Sequence, residues 1–196
     1  MRPISVILII IVSLLTTACS LLAPVSTPNT HTYVLNSSAI VMPHRRNHGV
    51  LLVTVENSNS PYNTTQMAYV LHPHQIAYFV LNQWADTPAH MLQPLIIQTM
   101  QRTRAFDAVV SSSYLGQYDE RLTVQIGELY QDMTVGHTPT LHFSMRAVLS
   151  NVSTGRVIAA RAYAIVIPMR ARAPYAGVVA ANEACEQLLQ EMSELA

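Results

Sequence analysis

Few side chains in this sequence have the chemistry to act. There are 2 cysteines, Cys19 and Cys185, and a His72-Pro73-His74 triplet. Large amphipathic rings gather at Tyr62, Tyr69, Tyr78 and Trp84, in a chain with only 1 Trp and 3 Phe. A thiol can attack, bind metal, form a disulfide or carry a lipid. Two imidazoles flanking a proline could begin a metal site. A closed zinc site needs four ligands, however, and neither a Cys nor a third ligand stands near them, so a plain turn is expected. Rings with one polar tip suit a half-dry surface, such as a partner interface or an apolar groove, and equally the space between a sheet and a helix. Tyr62 sits in the polar, Pro-flanked loop around Ser58–Thr65. It is expected to be exposed, which makes it the best interface candidate of the four. The chain has no Gly-x-Ser-x-Gly elbow, no His-Glu-x-x-His, no Gly-rich phosphate loop and no run of mixed Cys and His. No catalytic residue, metal ligand or cofactor is therefore assigned, and a non-enzymatic role is expected.

The two cysteines differ in context. Cys185 falls on a helical face with Val178, Ala181, Asn182, Leu188, Leu189 and Met192, the setting of a packed and unreactive thiol. Cys19 closes an N-terminal stretch of another kind. Arg2 precedes an apolar run, Ile4 to Val12, and small residues lead up to the Cys, which is the order of a secretory signal. Ile4 to Leu15 is shorter than the roughly 20 apolar residues that a spanning helix needs. Reaching Leu22 brings in Ser13, Thr16, Thr17 and Ser20, so an uncleaved anchor is the weaker alternative. The other alternative, a Cys19–Cys185 disulfide, requires an unlipidated Cys19.

Thr16-Thr17-Ala18-Cys19 resembles the lipobox of bacterial lipoproteins, with Leu15 one position further out than the usual Leu. The resemblance implies cleavage before Cys19, acylation of its thiol, and membrane attachment through the N-terminal acyl chains. Residues 1–18 are then the signal peptide and 19–32 the lipidated Cys with its linker. Pro24, Pro28 and the Ser and Thr between them read as extended, unstructured chain. From Ser20 to Thr32 this tether reaches at most about 40 Å. Ser20, where inner-membrane lipoproteins usually carry Asp, resembles the outer-membrane class.

Charge argues against nucleic acid as the main partner. Lys+Arg and Asp+Glu both number 11, every basic residue is Arg, and only 11% of the chain is charged against 50% apolar. Without a basic stripe, nucleic acid is not expected as a partner. The Pro43–Gly49 loop holds Arg45, Arg46 and two His and is read as a solvated turn. Asn36, Asn63 and Asn151 open Asn-x-Ser/Thr triplets, which carry no meaning beside a bacterial lipobox.

Residues 33–196 are expected to form one α+β domain. Thr32–Leu35 is a short strand. Val50–Val55 is a near-continuous apolar run, as in a strand buried on both faces. Met67–Leu71 and Gln75–Leu81 bracket the His-Pro-His turn as a hairpin. Asp86-Thr87-Pro88 starts a helix that runs to about Arg104, with Leu92, Leu95, Ile96, Thr99 and Met100 on its buried face. Pro94 either kinks that helix or marks its beginning. Arg102 and Arg104 complement its C-terminal dipole. Phe106–Ser111 is a short strand. Arg121–Ile126, Thr140–Leu149 and Arg156–Ile167 alternate polar and apolar residues, as antiparallel strands with one wet face do. The first of these slips phase at Gly127-Glu128, a bulge. Pro174 to about Leu195 is a second helix. The expected architecture is two-layered, an antiparallel or mixed sheet with two main helices packed on it.

The succession from Pro61 to Val110 carries a second resemblance. Pro61-Tyr62 through Tyr69-Val70, Ile76-Ala77-Tyr78-Phe79, Asn82-Gln83-Trp84-Ala85-Asp86-Thr87-Pro88, Leu92–Leu95 and Phe106–Val110 resemble the ABC-type transport auxiliary lipoprotein family. The opening Tyr33-x-Leu35 behind the lipobox agrees. That family implies a periplasmic domain similar in part to the N-terminal domain of the translocation protein TolB. It also implies partnership with the permease and ATPase of an Mce-type ABC transporter and with its Mce-domain periplasmic protein. Such systems move phospholipids or other hydrophobic molecules between the inner and outer membranes. The implied location is the periplasmic side of the outer membrane, with self-association left open. An outer-membrane assembly or envelope-integrity lipoprotein is the alternative.

Overall fold

The computed structural model describes residues 29–37, 49–56 and 61–195. Cys19, the signal peptide, most of the linker and the Pro43–His48 part of the basic loop lie outside the described residues.

One strand carries the rest. β6 (Glu120–Asp132) pairs along its whole length with β7 (Thr140–Asn151), antiparallel. Its other edge is divided. Residues Glu120–Gln125 take β2 (Val50–Glu56), parallel, and Tyr130–Asp132 take β3 (Gln66–His72), also parallel. The division falls at the expected bulge, where the register slips between Ile126 and Glu128 and leaves Gly127 unpaired. A Cβ at Gly127 would sit 2.7 Å from Ser144 Oγ on the neighbouring strand, so the bulge favours glycine.

From this fork the sheet grows outward. β2 continues to β5 (Ala108–Ser111), parallel. β3 continues, antiparallel, to β4 (Gln75–Trp84), which takes β1 (His31–Tyr33) in parallel. On the far side β7 takes β8 (Val157–Pro168), antiparallel. The result is a mixed 8-stranded sheet with two helices, α1 (Pro88–Thr103) and α2 (Pro174–Ser193).

The helices cover one face, as the apolar spacing requires. Leu122, Val124 and Ile126 of β6 and Leu141, Phe143, Met145 and Ala147 of β7 point into a core shared with Leu92, Ile96 and Met100 of α1. Val178, Ala181, Cys185, Leu188 and Met192 of α2 complete it. α2 lies so close to β6 that a side chain at Gly177 would run into the Gln131 amide. Leu51, Leu52 and Val53 are buried in succession, as the unbroken apolar run of β2 predicts.

The helix signals are read correctly at both ends of α1. Thr87 is the N-cap, its hydroxyl accepting from the His90 N–H at 3.5 Å. Pro94 lies inside the helix and exposed, so Pro88 and not Pro94 marks the beginning. Arg104 stands just past the last turn in the left-handed conformation, φ 57°, and donates its N–H to Gln101. Phe106 and Asp107 precede β5 rather than join it, Phe106 being a core residue.

Candidate functional site

The aromatic candidates sit on and around the β3–β4 hairpin, divided between its two faces. The register pairs Ala68 with Tyr78, Tyr69 with Ala77 and Val70 with Ile76. Because side chains alternate along a strand, Tyr69 and Phe79 share the helix-covered face and Tyr78 points to the open one. Tyr69 packs on Phe79 with ring centroids 4.4 Å apart, at the margin of the core.

On the open face a row of aromatic residues crosses the strands. Tyr78, Ala68, Tyr130 and His142 are successive cross-strand partners on β4, β3, β6 and β7. Tyr130 and His142 stack at 4.7 Å with rings 10° apart. Tyr62 adds a layer from the preceding loop, stacked on Tyr130 at 6.1 Å and 15°. That loop is tied down by the Tyr78 hydroxyl, which donates to the Pro61 carbonyl at 2.9 Å. His142 Nε2 lies 3.1 Å from the Thr140 hydroxyl.

The electrostatics keep the phenols neutral. Partial burial, with Glu128 and then Tyr130 and Tyr78 nearby, pushes the Tyr62 hydroxyl up to about 12. Partial burial, Glu128 and Asp132 also raise Tyr130. Burial acts to raise Asp132 as well, but hydrogen bonds from Thr134 and the neighbouring His142 and His137 outweigh it and hold that carboxyl low. The face therefore offers flat rings and protonated hydroxyls bordered by carboxylates, which is binding chemistry.

The four candidates do not form one patch. Tyr62 is half-buried and not exposed, because the loop folds back onto Tyr130. Tyr69 and Tyr78 are half-buried on opposite faces. Trp84, at 3% exposure, belongs to the core. It ends β4, and its backbone N–H donates to the Thr65 carbonyl at 2.7 Å. On the hairpin itself, Leu71 42%, Ile76 37%, Val80 87% and Leu81 37% reach solvent. Tyr130, Phe79 and His142 also belong to this aromatic group. Only the cross-strand register brings them beside the others, although the polar phase of β7 places His142 on the open face. His72 and His74 stand exposed at the hairpin tip, His74 with φ 64°. Among the described residues no three His, Cys, Asp or Glu side chains come together to hold a metal. Cys185 is fully buried, and burial, with Glu186 nearby, pushes its thiol up to about 12.

The sequence profile of the ABC-type transport auxiliary lipoprotein component family matches residues 33–193, from the last residue of β1 to the last of α2. The chain belongs to that family. Solved structures agree on the fold of this auxiliary lipoprotein. One is protein XCC0632 from Xanthomonas campestris, at 18% identity and TM-score 0.71, covering 84% of this chain and 93% of that one. Another is an uncharacterized protein at 16% identity and TM-score 0.63, covering 85% and 98%. No curated protein matches the sequence. The family description associates the auxiliary lipoprotein with ABC-type transport. None of its helices among the described residues is long and apolar enough to cross a membrane.

Proposed function

We propose that the protein is a lipid-anchored, non-enzymatic partner of an Mce-type ABC transporter, which moves phospholipids or other hydrophobic molecules between the inner and outer membranes. Its action is positional. Acyl chains on Cys19 hold the domain on the periplasmic side of the outer membrane, the linker lets it stand off, and the β3–β4 hairpin grips the periplasmic Mce-domain protein. The observation that carries this reading is the exposed apolar hairpin, with Val80 at 87% exposure, in a chain of this family. A surface of that kind needs a partner, and neutral phenols beside it can be desolvated without removing a charge from water. The test is affinity purification of the tagged full chain from detergent-solubilised envelopes, with recovered Mce-domain protein and lipid quantified by mass spectrometry. Recovery is expected to fall at least about tenfold in Val80→Asp and Leu71→Asp chains, since a charge forced into an apolar contact is left unpaired. If the unaltered chain repeatedly brings down no Mce-domain protein, the proposal fails.

A further inference from the structure

Among the described residues β8 is the longest uncapped edge of the sheet, and its chemistry specifies what can add to it. The branches on the fork side end in short strands, β1 of 3 residues and β5 of 4, whereas β8 closes the opposite side with 12. Natural sheets protect such an edge with proline, charge, a bulge or brevity. Its register with β7 slips at Ile158, but between Ala159 and Ile167 β8 carries none of these except Arg161, which pairs with Glu194 of the α2 C-terminus at 3.4 Å.

The pairing phase fixes which backbone groups face outward. Met169 N–H donates to the Pro139 carbonyl, and Thr140 is opposite Pro168. Antiparallel pairs alternate between bonded and unbonded, so Ile167, Ile165 and Tyr163 direct their backbone groups to β7. Ala160, Ala162, Ala164 and Val166 direct theirs away. Among the described residues nothing accepts from or donates to these outward groups. The same four side chains are exposed on the open face and small.

We propose that β8 is a strand-addition site for an extended segment of another protein, with small or apolar residues at alternate positions and acidic residues at both ends. Charge selects this occupant. Arg156 and Arg170 flank the strand, and Arg146 stands opposite Ala162 on β7. A second copy of this chain pairing antiparallel about Tyr163 would set Arg156 of each copy against Arg170 of the other, and like charges directly opposite are unfavourable. An acidic-ended strand gains at both positions and takes its affinity from the main chain. The site is separate from the β3–β4 hairpin and does not depend on the transporter reading.

The probe is a fluorescent synthetic peptide of alternating Val and Thr between paired Glu residues, measured by anisotropy against the full chain in detergent. Saturable binding is expected, with the Lys-ended peptide of the same core at least about tenfold weaker. Ala164→Pro removes one outward N–H and leaves the β7 ladder intact, so it should weaken binding about tenfold at an unchanged unfolding midpoint. Arg156→Glu with Arg170→Glu should reverse the preference toward the Lys-ended peptide, which tests the site without a proline. Equal binding of the two peptides, or a folded Ala164→Pro chain that binds as before, overturns the proposal. So does sedimentation showing that the chain alone pairs through this edge, because the occupant would then be a second copy.

Discussion

Trp84 and Cys185 show how far burial governs individual residues here. The side chain is 3% exposed and belongs to the core cluster, so it contributes as packing. Trp84→Ala should cost about 3–5 kcal/mol, read by urea unfolding followed with far-UV circular dichroism, since the only Trp is removed. Cys185 is as well packed as its helical spacing suggests. With its thiol pushed from 9.0 up to about 12, the thiolate at pH 8 is about a thousandfold scarcer than for an ordinary cysteine. Alkylation by iodoacetamide is therefore expected only after unfolding in urea, and mass spectrometry of native and denatured samples checks it. Tyr62 teaches the reverse. Its polar, proline-flanked loop suggests exposure, yet the ring lies on Tyr130, because a nearby aromatic face is a better neighbour than water for most of its surface.

At the level of the element, α1 has the most complete local code. Thr87 caps it, Pro88 opens it and Arg104 closes it in a left-handed turn. Asp86 adds pH dependence. The Thr87 N–H, at 2.7 Å, and the His90 ring, at 3.2 Å, hold its carboxyl below the usual range. A carboxyl lowered in the folded state stabilises at pH above its unfolded value, and that contribution is lost as pH falls through the folded value. Amide protection in the first turn of α1 should therefore decline on acidification through and below the normal carboxylate range. Asp86→Asn should flatten that decline, as measured by hydrogen exchange. Thr87→Ala should cost about 1 kcal/mol at any of these pH values. The hairpin and the β6–β8 meander were equally legible, because alternation and turn residues are local features. The division of the β6 edge between β2 and β3 was not, although the Gly127 bulge that permits it was visible as a slip in phase.

For the whole molecule, the decisive prediction concerns attachment. If Cys19 is acylated, growth with a labelled fatty acid should mark the unaltered chain. A Cys19→Ala chain should lose the label and move to the soluble periplasmic fraction, as immunoblots of fractionated envelopes would show. The α+β body should be unaffected, its unfolding midpoint unchanged, since among the described residues the core is built from Leu35 onward with Tyr33 packed against it.

The sequence by itself determined the family and the order and type of the elements, while several ends moved, the first strand being His31–Tyr33 and not Thr32–Leu35. Capping, proline position and hydrophobic period act over a few residues and are written in order along the chain. Only the tertiary structure decided which aromatic rings meet and which edge stays open. Tyr130 lies beside the β3–β4 hairpin only because β3 pairs with β6 across a long stretch of sequence, and Trp84 is in the core while Tyr78 is on the open face because the β3–β4 register shifts between them. Period 2 marks two faces without naming what lies against either. The neighbour across a strand is set by long-range pairing, whose energy belongs to the assembled sheet and to no single segment of the chain.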